Sequence, residues 1–286
     1  MAEKISEEAA GFIRFERALP HQIRHMVRRR PIAYVPFGAL EWHGEHAALG
    51  LDGIKASWIC EQAARRSGGV LFPAVYWGAF HTLPFPFTFR YSKRAMTRQV
   101  RKTLETLAGW GFRSIVMLTG HYPLAQIKMF RRECRRISQL SGVAALGIPE
   151  QALAADLGYL GDHAAKWETS ILMAIDHALV DMSRLPEDTG TLSERARRHG
   201  IYGICPKKEA SAEAGRRVLD QIVDRLAQSA VKMLEPGGAA IAEEIYRSYA
   251  AAFQNPFAAA RIAFGVHSKW EIIRYVVRNV IGFRHL

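Results

Sequence analysis

Ile32-Ala33-Tyr34-Val35-Pro36-Phe37 runs without a break into Gly38-Ala39-Leu40-Glu41-Trp42-His43-Gly44-Glu45-His46, and Asp52 follows six residues later. The first six residues are apolar on both faces, as in a strand buried inside a sheet. Directly after it, two imidazoles and three carboxylates crowd into twelve residues. Carboxylate oxygens and imidazole nitrogens converging at a strand's end suit a divalent metal. In extended chain the i,i+2 spacing of Glu41 and His43 sends both side chains to one face. Asp52 then has to return to that face from the start of the next segment.

Outward from this stretch, short apolar runs alternate with longer amphipathic ones, the pattern of an α/β layered fold. The runs predict strands at Ile32–Phe37, Val70–Tyr76, Ser114–Leu118 and Val143–Leu146. Helices are predicted from Gly53 to Arg66, Lys93 to Trp110, Leu124 to Gln139, Ala164 to Leu179 and Ala212 to Leu234. Pro236-Gly237-Gly238 reads as a boundary between residues 1–235 and a helical extension over 236–286. The extension ends in the amphipathic segment Trp270 to Arg278, whose plainest use is packing on the parent domain or a sister subunit.

Of the 286 residues, 49% are hydrophobic and 23% charged, which suits a globular chain that needs no disulfide staple. The three cysteines, Cys60, Cys134 and Cys205, form no Cys-x-x-Cys pair, so neither a zinc knuckle nor a redox motif is indicated. Reduced thiols and the absence of a signal-like start point to the cytoplasm. No stretch reaches the roughly 18 apolar residues of a membrane span. The net charge of +12 is scattered, with no nucleic-acid-binding signature beside it. A solvated basic surface is expected, and no nucleic-acid partner.

Two further clusters stand at strand and helix ends. After Ser114–Leu118 comes Thr119-Gly120-His121-Tyr122-Pro123, where glycine lets the backbone turn and His121 becomes a ligand candidate. Farther on is Gly161-Asp162-His163-Ala164-Ala165-Lys166-Trp167-Glu168-Thr169-Ser170. A helix beginning near His163 would be capped by Asp162 and place His163 at its positive end. His163 is then an acid/base candidate, and Glu168 a ligand or orienting carboxylate.

Taken together, these segments resemble the creatininase (creatinine amidohydrolase) family. Gly38 to His46 with Asp52 is similar to its Gly-x-x-Glu-x-His-Gly-x-His…Asp signature, and Thr119-Gly120-His121 to its Asn-Gly-His segment. His163-Ala164…Glu168-Thr169-Ser170 resembles its His-Ala…Glu-Thr-Ser segment. Gly200-Ile201-Tyr202-Gly203-Ile204-Cys205-Pro206 with Ala210 and Gly215 resembles its Gly-x-Tyr-Gly-x-Pro…Ala…Gly stretch.

The resemblance implies a three-layer α/β/α sandwich with a mostly parallel sheet, in a homo-oligomer that is hexameric or otherwise dimer-based. It implies a metal-dependent amidohydrolase that opens a non-peptide C–N bond, of a cyclic amide or formamide, with a metal-activated water. The cofactor is one or two divalent ions per chain, zinc ahead of manganese. Glu41, Asp52 and His121 would hold one ion; His43 and the shared Asp52 would hold the other. His163 matches the acid/base histidine, with Glu168 beside it. His81, Thr88 and Tyr122 would face a small-molecule amide substrate, while Glu45 and His46 would steady the ligands by hydrogen bonds.

Three positions depart from the pattern. Pro123 stands where creatininase proper has a ligating glutamate, which leaves the second ion weaker, absent or completed by Glu168. Phe87 replaces a loop glycine and is expected to crowd or reshape the pocket, and Thr119 replaces asparagine. Two other readings follow: a peptide-cleaving maturation enzyme of the same family, or a catalytically reduced homologue kept for small-molecule binding or structure.

Overall fold

The computed structural model describes residues 11–77, 82, 85–187, 189–266 and 268–275. Among them, β1 (Phe12–Arg14), β2 (Ile32–Phe37), β3 (Gly69–Leu71), β4 (Ser114–Thr119) and β5 (Ala144–Pro149) form one sheet. Its order is β1-β3-β2-β4-β5 and every pairing is parallel. Side chains alternate across the central strands, as a pleat of period two requires. Tyr34, Val116, Leu118, Leu146 and Ile148 enter the core on one face. Ala33, Val35, Phe37, Ile115, Met117 and Ala145 enter the core on the other.

Helices cover both faces, giving the three-layer α/β/α arrangement. On the first face lie α2 (Leu51–Ser67), α5 (Lys166–Ile175) and α7 (Ala212–Lys232). On the second lie α1 (Pro20–Arg29), α3 (Lys93–Gly109) and α4 (Leu124–Ser141). Each Ile, Leu or Phe buried in these cores contributes about 1.5–3 kcal/mol. α6 (Leu192–His199) stands outside the layers.

After α7, three more helices follow: α8 (Ala239–Ala251), α9 (Pro256–Phe264) and α10 (Lys269–Tyr275). Ala242 and Tyr246 of α8 belong to the same core as the sheet, and the Tyr246 hydroxyl donates to the Gly147 carbonyl at 2.5 Å. No helix among the described residues is long and apolar enough to cross a membrane.

Several boundaries differ from the sequence reading. β1 and α1 went unread, being short or strongly basic. The strand expected over Val70–Tyr76 stops at Leu71. Phe72 and Val75 still bond to the β2 carbonyls of Tyr34 and Pro36, but Pro73 between them has no N–H to give. The helix expected from Ala164 begins at Lys166 instead. Ala164 has a φ of 52°, a left-handed conformation that cannot sit in a right-handed helix. His163 instead pairs with Tyr202 as an isolated bridge.

Candidate metal centre

The chain leaves β2 towards β3 on one side, and β4 returns on the other side of β2. The carboxyl ends of β2 and β4 are therefore the point where the sheet changes direction, the usual crevice for ligands in such sheets. Glu41 and His43 follow β2, and His121 follows β4. Asp52 reaches the same crevice from the first turn of α2.

Two glycines make that approach possible. A Cβ on Gly38 would lie 2.2 Å from the Gly53 nitrogen, and one on Gly120 would lie 2.1 Å from the Asp52 carbonyl oxygen. Gly120 thus admits the backbone of α2 rather than supplying a left-handed turn. The turn at His121 is held by Thr119, whose Oγ1 donates to the His121 carbonyl and accepts from its N–H. Gln126 Nε2 donates to the same two oxygens.

The buried donor atoms form two triads around Asp52. In one, His121 Nδ1 lies 2.7 Å from Glu41 Oε1 and 3.4 Å from Asp52 Oδ2. In the other, His43 Nε2 lies 3.3 Å from Asp52 Oδ1 and 3.6 Å from Glu168 Oε2. Glu41–Asp52–His121 and His43–Asp52–Glu168 each offer three ligand atoms within 4.8 Å of one another. A third such set, Glu41–His43–His163, overlaps them.

Two observations say these residues fit a divalent ion. His43 Nδ1 must donate to the Glu41 carbonyl at 3.0 Å, since a carbonyl only accepts, so Nε2 is the nitrogen left to meet an ion. That Nε2 and Asp52 Oδ2 are buried and make no hydrogen bond within the described residues. Orphaned polar atoms of this kind call for a partner. The donor set, carboxylate and imidazole without thiolate, suits zinc or manganese.

Electrostatics point the same way. Burial opposes charge on His43, but Asp52, Glu168 and Glu41 outweigh it and raise its pKa to about 9. Burial likewise opposes charge on His121, and Glu41 and Asp52 raise it to about 10. Asp52 is lowered well below the carboxylate range: burial works against it, and His43, His121 and Lys55 prevail. Carboxylates gathered this closely favour positive charge between them, and a divalent ion would supply it.

His163 stacks on His43 with ring centroids 4.5 Å apart. Its Nε2–H donates to the Trp42 carbonyl at 3.0 Å, which leaves Nδ1 unprotonated and 4.0 Å from Glu41 Oε1. Burial and the charge of His43 lower its pKa. Glu168 is held at every corner: Lys55 Nζ at 2.5 Å and the Tyr122 hydroxyl at 2.7 Å on Oε1, the Ala164 N–H at 2.7 Å on Oε2. Asp162, expected to cap the helix, accepts from the N–H groups of Trp167 and Glu168.

The sequence reading missed Lys55. It is fully buried between Glu168, Glu150 at 2.8 Å and Asp52 at 3.8 Å, with its ammonium 4.6 Å from the Tyr122 ring centre. Its signal was available, because Lys55 lies one helical turn after Asp52 on the inward face of α2. Glu150, at the end of β5, was missed too. Burial raises its pKa to about 7, with Lys55 and Tyr159 pulling against that.

Other expected residues stand farther back. Glu45 is exposed and accepts from Trp42 Nε1 at 3.1 Å, so it braces an indole and not a ligand. His46 is buried and bonds Thr169 Oγ1 at 3.0 Å, next to Glu168 in the chain. Burial and the neighbouring His43 and His163 lower its pKa to about 4. Thr88 accepts from the Trp42 N–H and donates to the Pro86 carbonyl, which secures its loop without reaching the cavity.

His81 lies outside the described residues. Phe87 does not crowd the pocket. It keeps a φ of 53°, the conformation glycine favours, and turns its ring to solvent at 75% exposure. Phe85 approaches the site instead, its ring centre 6.1 Å from that of His163.

The chain matches the family model described as Creatininase: Creatinine amidohydrolase over residues 18–230. It is 27% identical to the creatinine amidohydrolase of Pseudomonas putida over 229 residues, 69% of this chain and 88% of that one. A shorter match, 25% identical over 109 residues, joins 37% of this chain to 35% of a 3-dehydro-scyllo-inosose hydrolase from Thermotoga maritima. A crystal structure of creatininase superposes with a TM-score of 0.68 at 21% identity, covering 79% of this chain and 99% of that one. Creatininase in a Mn form superposes at 0.63 with 22% identity, covering 79% and 100%. A creatininase variant of Zn-Zn type superposes at 0.62 with 23% identity, covering 79% and 99%. By the extent of the family match, this chain is a member of the creatininase (creatinine amidohydrolase) family.

Proposed function

We propose that this protein is a two-metal amidohydrolase that opens the C–N bond of a cyclic amide or formamide. The observation that carries the reading is the division of Asp52, whose Oδ2 lies 3.4 Å from His121 and whose Oδ1 lies 3.3 Å from His43, so that it belongs both to the set with Glu41 and to the set with Glu168. One ion would be held by Glu41, Asp52 and His121, the other by His43, Asp52 and Glu168. Glu168 would thus complete the second site that Pro123 cannot. Ions bound there would lower the pKa of a water to about 7 and polarise the carbonyl under attack. Zinc is the first choice and manganese the second.

The chain's own residues divide the remaining work. His163 Nδ1, unprotonated and facing the cluster, takes a proton from the attacking water and returns it to the leaving nitrogen. Such a role typically contributes 10²–10⁴ in rate. Glu168, with both oxygens engaged, keeps its charge and serves as a holder rather than a proton carrier. Lys55 and Tyr122 fix Oε1 of Glu168 so that Oε2 points at His43. Tyr122 also closes one side of the cavity.

Hydrolysis of formamides and small cyclic amides by the purified protein tests the reading. Activity should vanish with a chelator and return with zinc or manganese. Activity that survives full metal removal would sink it.

A further inference from the structure

The cavity in front of the strand-end cluster holds about 1090 Å³. That is the upper end of what drug-sized ligands occupy, and far more than one small polar ring fills. Its floor is polar, built from Glu41, Asp52, His121, His163 and Glu168. The rest of the lining is mostly apolar. It is made by Tyr249 of α8, Phe253 just beyond that helix, Phe264 of α9 and Ile272 of α10, with Leu124 and Ile127 of α4; Lys128, Arg131 and Gln151 are its polar exceptions.

Leu124 is 65% exposed and Phe253 40% exposed, so large apolar surfaces stand in water next to the reactive groups. Covering such surface is favourable, and a contiguous apolar patch beside a catalytic cluster marks a binding site.

These helices lie beyond residue 230, where the family match ends. They are firmly seated. Glu243 pairs with Arg131 at 2.9 Å and Arg135 at 3.0 Å, and Gln151 donates to the Tyr249 hydroxyl. Ala259 and Ala263 pack on Leu160, and Ile272 packs on Leu192, Ala196 and Val266. The wall is therefore preformed, and an apolar ligand would not have to order it.

We propose that α8–α10 form a subsite for an extended apolar group, and that the substrate is an amide or formamide carrying an alkyl or aryl chain. The proposal rests on the hydrolase reading of the floor and adds what lies across from it. The reacting carbonyl would sit over the Asp52 cluster, and the chain would run towards Phe253 and Ile272.

The test separates the two readings by using metal-stripped full-length protein, in which no turnover contributes. Binding of butanamide, hexanamide and octanamide is measured by calorimetry. Affinity should rise about fourfold for each methylene buried, roughly an order of magnitude per two carbons. Phe253→Asp should flatten that series. Phe257→Asp, on α9 but outside the cavity lining, should leave it steep.

A flat series in the unaltered protein, or one that Phe253→Asp does not change, overturns the proposal. So does a Phe253→Asp protein that changes subunit number while keeping the series, because the wall would then be an interface between copies. Turnover of N-formylhexylamine after metal is restored reports separately on the hydrolase reading.

Discussion

On one side of the cavity the side chains are ionisable, largely buried and tied to several others; on the other side they are mostly apolar and partly open to water. Glu168 alone touches Lys55, Tyr122, Ala164 and His43, so moving any of them moves a ligand. Leu124 and Phe253 are partly exposed and hold no ligand in place. The proposed chemistry uses residues tied to one another, while the proposed apolar subsite lies on helices that follow the family match.

His163→Gln should cut kcat by about 10²–10⁴ while metal content stays unchanged, since His163 moves a proton without being needed in either triad around Asp52. Loss of metal in that variant would move His163 into the ligand set.

Lys55→Met should come next. It strands Glu168 and Glu150 without their cation, and breaking a buried pair this way costs about 3–5 kcal/mol. Urea unfolding measures the loss; an effect within about 0.5 kcal/mol, the scale of an ordinary surface change, would mean the ammonium is not needed.

Stability against pH separates the metal-free from the metal-loaded protein. In chelator, the raised pKa values of His43 (about 9) and His121 (about 10) contribute stability that is complete below the unfolded value near 6.5. That stability is lost as pH climbs through 9 and 10, so metal-free protein should weaken over this window. With metal bound the two imidazoles are already neutral, and the slope should disappear. Parallel unfolding curves with and without metal across that window would contradict the placement of both histidines.

The smallest effect belongs to the loop. Thr88→Val removes its hydrogen bonds to Trp42 and Pro86 and should cost about 1 kcal/mol of stability, with little change in metal content.

Much of the polar side was legible in the sequence, and the reasons are local. Ile32–Phe37 is apolar throughout, so its strand and the residues that follow could be placed at a strand end. Glu41, His43, Asp52 and His121 came with glycines whose missing side chains the structure uses directly. What escaped was set by contacts distant in sequence. The one-turn spacing puts Lys55 on the face of Asp52, but its nearer carboxylates, Glu150 and Glu168, come from far along the chain. Ala164 hid a left-handed backbone that shifted the helix start, because nothing in alanine signals it. Phe87 replaces a glycine and keeps its left-handed backbone with the ring in solvent, while Phe85, two residues earlier, turns its ring towards His163. The apolar wall could not be read at all, since 236–275 looked like any packing helix until the fold laid it across the cavity.

Metal per chain, measured by elemental analysis on protein purified without chelator or nickel, tests the central claim most directly. The unaltered protein should carry two equivalents, Glu168→Gln one, and Asp52→Asn close to none. Equal metal content in all three, or none in any after zinc or manganese is offered, would contradict a centre divided across Asp52.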